Sequence, residues 1–333
     1  IYLLSTLSVG VVWFMVQRNA LVGWVLGAAT VASLLFILYV IVKVCESKAQ
    51  RERMMLAMVL IFGSVVFFTL FEQAGTSLNL FADRNVDLSI TPQAFQFLGV
   101  TVGTPAQLAA AGITPSGFWI DATITAAQTQ SFNAGFILIF APIMAALWAF
   151  LAKRKLDPNP TMKFGLGLLQ VGLGFMIVVW GAGMADSAFQ MPLLLLGLLY
   201  LFHTTGELFL SPVGLSEITK LSMAKVVSFM MAVWFLASSI AQYVGGWIAG
   251  LAGTETVGGQ VLDPGLALRT SLEVFSMLGL WGMGIGVAFI VVSFFIKGWS
   301  HGANDGDGHP GPTLSDRGQE DGNIAAPRTS TTG

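Results

Sequence analysis

The sequence predicts an all-α, polytopic membrane protein, and three observations carry that reading. Of 333 residues, 55% are hydrophobic and 10% are charged, whereas soluble domains carry about 25% charged residues. The apolar residues form continuous runs long enough to cross a hydrocarbon core of about 30 Å, without the period-two alternation of a membrane barrel. Basic residues gather in alternate connections between those runs. One cysteine, Cys45, excludes an internal disulfide or a cysteine metal cluster.

In chain order, residues 1–17 form an oily stub. No basic region or small-residue cleavage site precedes it, so it is not a signal peptide, and Ile1 reads as the interior of a longer polypeptide whose first helix here is truncated. Full spans follow at about 21–42, 54–81, 130–152, 161–182, 191–219, 225–251 and 271–296, which makes eight crossings with the stub. The segment at about 82–129 contains ITPQAFQFL and TPAQLAAAG; its Thr, Gly and Pro punctuation argues against a further crossing and suits short surface helices. Residues 298–333 are expected to be a disordered tail, which makes His301 and His309 poor metal ligands. GLGLLQVGLG, residues 165–174, suits close helix contact rather than nucleotide binding, because it lies in a span with no preceding strand.

Alternating eight spans puts Lys43, Lys48, Arg51, Arg53, Lys153, Arg154, Lys155, Lys163, Lys220, Lys225 and Lys297 on one side, with Arg18, Arg84 and Arg269 on the other. Eleven against three assigns the first side, and with it the C-terminal tail, to the cytoplasm.

Within this oil, two acids need an explanation: Glu72 in FFTLFEQAGTSLNLFADRN and Glu207 in LFHTTGELFLSPVGLSEITK. An ionisable group costs roughly 2.5–3.5 kcal/mol at a helix centre on insertion scales, so each acid is expected to face the bundle interior or a water-filled cavity. No Lys or Arg lies deep in any span. Either the compensating cations stand on helices outside this chain, or the acids are neutral in one working state. A dry site favours the neutral acid and an arriving ammonium the charged one, which links proton and cargo occupancy; the alternative is a structural acid solvated by a polar crevice.

Glu207 lies about 24 Å along a span about 43 Å long, near the midplane. His203 and Ser211 stand one turn to either side on the same face. His203 either tunes the acid or is a satisfied hydrogen-bonding histidine. Pro212, with Gly206 and Gly214 nearby, is expected to bend the helix into a gate. Asn133 supplies a donor and an acceptor suited to a peptide. Trp234 and Phe235 can form a pocket wall with Ser238, although aromatic residues also fill membrane cores. Asn79 and Gln242 are weaker candidates. No concentrated catalytic set stands at the membrane surface, so no enzyme is expected and no cofactor beyond a coupling proton.

The stretches FEQAGTSLNLFADRNVD (71–87), QSFNAGFILIFAPI (130–143), KFGLGLLQVGLGF (163–175), GELFLSPVGLSEITKL (206–221) and SFMMAVWFLASSIAQYVGG (228–246) together resemble the C-terminal six-helix half of the proton-dependent oligopeptide transporters, a family of the major facilitator fold. The first two spans, residues 1–44, resemble the linker helix pair of bacterial members, and residues 54–297 the six-helix bundle. The resemblance implies proton-coupled symport of di- and tripeptides by alternating access across a bacterial cytoplasmic membrane. Glu207 would meet the peptide's amino terminus, Asn133 would contact the peptide, and Trp234, Phe235 and Ser238 would line its pocket. Glu72 would pair with a base of the N-terminal half at the outer gate. The implied partners are small peptides, protons, the lipid bilayer and that N-terminal six-helix half, with no nucleic acid; without the half, this chain is not expected to transport. Peptide-like drugs or nitrate are the alternative cargo, and a non-transporting receptor or scaffold the alternative class.

Overall fold

A computed structural model describes residues 2–114, 117–253, 256–257 and 260–303. The N-terminal hairpin is α1 (Tyr2–Val16) and α2 (Asn19–Tyr39), the latter ending in a π-turn at Val40–Val44. Ser47 accepts a hydrogen bond from the Gln50 amide and starts α3 (Lys48–Phe71), satisfying one of the orphan donors of a helix start. After α3 a 3-10 turn, Glu72–Gly75, re-aims the chain into α4 (Ser77–Asn85).

The segment after α4 holds more β-structure than the sequence suggests. Strand β1 (Val86–Asp87) is followed by β2 (Phe95–Phe97), β3 (Val100–Val102), helix α5 (Pro105–Ala111) and β4 (Phe118–Ile120). Strands β2 and β3 pair antiparallel, and β4 adds parallel to β3. Only the short helices were expected here. Three-residue strands are too short to display a periodic pattern, and Gly99 at φ 79° and Gly103 at φ 155° supply the left-handed backbone that joins them. Reciprocal capping boxes, Thr104 with Gln107 and Thr125 with Gln128, start α5 and the one-turn α6 (Ala126–Thr129).

Then come α7 (Ser131–Lys153), α8 (Pro160–Trp180), strand β5 (Met191–Pro192), α9 (Leu193–Leu221), α10 (Val227–Leu251), the two-residue strands β6 (Thr256–Val257) and β7 (Gln260–Val261), and α11 (Pro264–Ile296). Asn159 caps α8 and Asp263 caps α11, each followed by a first-turn proline, where a missing N–H costs nothing. That cap sets the start of the last span at 264, seven residues before the apolar run that marked it.

Seven helices among the described residues have the length and composition to cross a bilayer. The stub is the 15-residue α1. Helix α8 is the most enclosed, packed between α9 and α11, while α2 and α7 are the least. Outward-facing Leu138, Trp247 and Phe295 fit a bundle whose rim meets lipid, where apolar exposure carries no hydrophobic cost.

The glycine-rich stretch of α8 explains this centre. A Cβ on Gly165 would stand 2.8 Å from the Gly286 carbonyl oxygen of α11, and one on Gly167 2.8 Å from the Gly206 carbonyl oxygen of α9. Gly172 repeats the contact with α11, and Gly174 makes room on the α9 side for the His203 ring. Two glycine pairs, each spaced by seven residues, thus serve two neighbours on opposite faces, which is the close approach that small residues permit.

Residues 298–300, expected to begin the tail, instead belong to a 3-10 turn, Lys297–Ser300, docked on α3. Arg53 donates to the carbonyls of Ser300 (3.1 Å) and His301 (2.7 Å), and the His301 ring meets Glu52. Backbone carbonyls and a carboxylate hold this turn, and polarity alone did not reveal them. Beyond Ala303 the expected tail, including His309, lies outside the described residues.

Candidate functional site

The seam between α7 and α9 carries the candidate site. Asn133, in the first turn of α7, donates from its amide nitrogen to Glu207 Oε2 at 3.1 Å and to Thr204 Oγ1 at 3.1 Å. Thr204 is fully buried and gives its own proton to the Tyr200 carbonyl at 2.7 Å, which leaves the hydroxyl oxygen free to accept from Asn133. Thr204 and Glu207 are three residues apart, so one face of α9 presents both to α7. A half-buried carboxylate therefore has one oxygen fixed by a neutral amide, and an ammonium can approach the other.

Glu72 opens the 3-10 turn after α3 and is close enough to Glu207 for their charges to act on each other. Sequence reasoning paired each acid with an absent base and did not foresee that the two acids would act on each other.

Beside Glu72, Gln73 was missed. It is fully buried, donates to the carbonyls of Thr69 (3.0 Å) and Gly245 (3.3 Å), and accepts from Ser77 Oγ at 2.6 Å. This amide ties the break in α3 to α10. The available signal was an uncharged amide deep in an apolar run with a serine four residues on.

Pro212 lies inside α9, which runs from Leu193 to Leu221. A single proline removes one hydrogen bond, and the rest of a membrane-buried helix keeps its own. Two expectations need correction. Trp234 and Phe235 do not share a wall. Trp234 is 5% exposed, edge-on to Phe68 and Phe164 and seated over Gly214, whereas Phe235 is 61% exposed on the outside of α10. Consecutive helix residues point about 100° apart; Ser238, one turn from Trp234, is half-buried. His203 stands one turn from Glu207 but points into the seam with α8. There its ring meets Phe175 edge-on at 4.8 Å and the Gly174 backbone, near the Val171 backbone without a hydrogen bond of good geometry. Of the weaker candidates, Gln242 is exposed, and the Asn79 side-chain oxygen is buried without a hydrogen-bond partner among the described residues.

An apolar helical bundle around an intramembrane acid–amide pair defines a multi-pass membrane protein. Residues 117–261 match the PTR2 model, described as the POT family. The chain is 30% identical over 243 residues to dipeptide and tripeptide permease A of Edwardsiella piscicida, covering 73% of this chain and 43% of that one. It is 34% identical over 218 residues to the uncharacterized transporter YclF of Bacillus subtilis, covering 65% and 38%. The crystal structure of tetrameric PepTSo2 superposes with a TM-score of 0.65 at 26% identity, covering 90% of this chain and 53% of that one. The chain belongs to the POT family, a family of transporters rather than enzymes. It spans about half the length of the curated relatives it matches.

Proposed function

We propose that this chain is the C-terminal part of a proton-coupled symporter for di- and tripeptides, working by alternating access in a bacterial inner membrane with its C-terminal tail in the cytoplasm. The observation that carries the reading is the Asn133–Thr204–Glu207 cluster, set half-buried between two membrane helices with Glu72 in electrostatic reach. Asn133 orients the carboxylate, and a peptide ammonium approaching the free oxygen favours its charged form. With no peptide present, a proton on Glu207 takes the place of the ammonium charge. Peptide and proton occupancy are then linked by charge alone. The similarity to permeases named for dipeptides and tripeptides supports this cargo.

The test is uptake of a labelled dipeptide into liposomes by the longer protein that contains this chain, driven by an imposed proton gradient. Glu207→Gln keeps the hydrogen bond to Asn133 and removes the titrating group, and it is expected to abolish gradient-driven accumulation while the protein still reconstitutes. Unchanged accumulation by Glu207→Gln removes Glu207 from the coupling. Competition by tripeptides but not by nitrate identifies the cargo class.

A further inference from the structure

Away from the acid pair, a cavity of about 980 Å³ opens between the ends of α7, α8 and α9 on the face rich in basic residues. Its upper wall is apolar, made by Ala141, Met144, Ala145 and Trp148 of α7 against Leu208 and Val213 of α9. The α7 residues recur every three or four positions, so one helix face lines the groove. From Ala141 to Ala152, the last α7 residue lining it, the groove runs about 16 Å at 1.5 Å per residue. That matches the hydrocarbon depth of one leaflet, about 15 Å.

The lower rim is charged. Lys163 binds Asp157 at 2.9 Å and lies 4.5 Å from the centre of the Trp148 ring; Lys220 pairs with Glu217 at 3.6 Å. Two further rim residues, Lys155 and Lys297, have no carboxylate within ion-pair distance among the described residues. The rim therefore holds two positive charges beyond its own acids. Asn159, Ser216 and Ser300 stand beside them and can donate to phosphate oxygens.

We propose that this groove binds an anionic phospholipid of the cytoplasmic leaflet, its phosphate at Lys155 and Lys297 and an acyl chain along the α7–α9 wall. The charge complementarity selects an anion. The apolar depth selects one that carries a hydrocarbon chain, because a free anion leaves that wall unfilled.

The longer protein that contains this chain is titrated in detergent with phosphatidylglycerol, phosphatidylcholine and inorganic phosphate, and bound ligand is counted by native mass spectrometry. Phosphatidylglycerol is expected to bind in preference to phosphatidylcholine. The double substitution Lys155→Gln with Lys297→Gln is expected to weaken phosphatidylglycerol about 30-fold, since one basic residue near an anionic surface is worth about a factor of five. Ala145→Trp, which fills the apolar wall, is expected to weaken the lipid as well. Unchanged phosphatidylglycerol affinity in the double variant overturns the assignment. So does displacement of the lipid by inorganic phosphate at equal concentration with Ala145→Trp neutral, which makes this a free-anion site. A preference for phosphatidylglycerol that emerges only after truncation following Ala303 also overturns it, and assigns the groove to the acidic C-terminal segment.

Discussion

Replacing Gly206 with Ala tests the glycine seam that sets the position of α9, and with it Glu207. An alanine Cβ at 206 would stand 2.8 Å from the Gly167 carbonyl oxygen and 3.3 Å from a Val171 methyl. The first distance is about 0.5 Å inside the 3.3 Å at which carbon–oxygen contacts begin, and the obstacle is backbone, which cannot rotate away. Overpacking of this kind costs about 1–3 kcal/mol. Alanine also gains up to about 1 kcal/mol of helix preference over glycine, so the raw effect of Gly206→Ala mixes two signs. Gly197 resolves them: it lies on the same helix and a Cβ there meets nothing within 4 Å. Gly197→Ala is expected to hold or raise stability, and Gly206→Ala to fall below it by about 1–3 kcal/mol, roughly 5- to 150-fold in the unfolding equilibrium. Unfolding in mixed micelles, titrated with sodium dodecyl sulfate and followed by tryptophan fluorescence, reads that difference. If Gly206→Ala proves as stable as Gly197→Ala, the backbone contact between α8 and α9 is not what holds them together.

Gln73→Leu keeps the volume near the break in α3 but leaves the Gly245 carbonyl and the Ser77 hydroxyl without this partner; it is expected to cost about 1–3 kcal/mol in the same unfolding titration. Asn85 donates to the carbonyls of Phe189 and Pro264, both at 3.1 Å, so Asn85→Ala is expected to speed hydrogen exchange of backbone amides around 186–190 and at the start of α11, with little change at the opposite, lysine-rich end. Arg53→Gln removes the donors to Ser300 and His301; exchange in the Lys297–Ser300 turn is expected to rise at least tenfold while the interior of α3 stays protected. Equal exchange in that variant would show that the turn stands on its own local bonds.

The spans were legible because a bilayer imposes one length on every crossing, and runs such as residues 161–182 meet it whatever their neighbours do. The role of Gly165, Gly167, Gly172 and Gly174 was legible for a related reason: small residues at helical spacing have few uses in a membrane span. Side-chain direction was harder to read. Placing Trp234 and Phe235 on one wall followed from their chemistry, but the helix turns one into the α3–α8–α9 seam and the other outward. Asn133 and Glu207 were named separately, and only the packing of α7 on α9 shows that they bond. Gln73 was overshadowed by the charge beside it. The β2–β3–β4 sheet depends on pairing between residues up to 18 positions apart, which no local pattern encodes.

Helix α8 meets α9 and α11 on opposite sides with backbone against backbone at Gly165, Gly167 and Gly172, and backbone at those points cannot change rotamer to absorb a slide. Those three helices therefore work as one stiff beam. On the proposed alternating-access mechanism, rocking that opens or shuts the site around Glu207 falls to α3, α7 and α10. Spectroscopic labels on α8 and α11 should keep a fixed separation in every ligand condition. The useful pair for watching motion places one label on that beam and the other on α7.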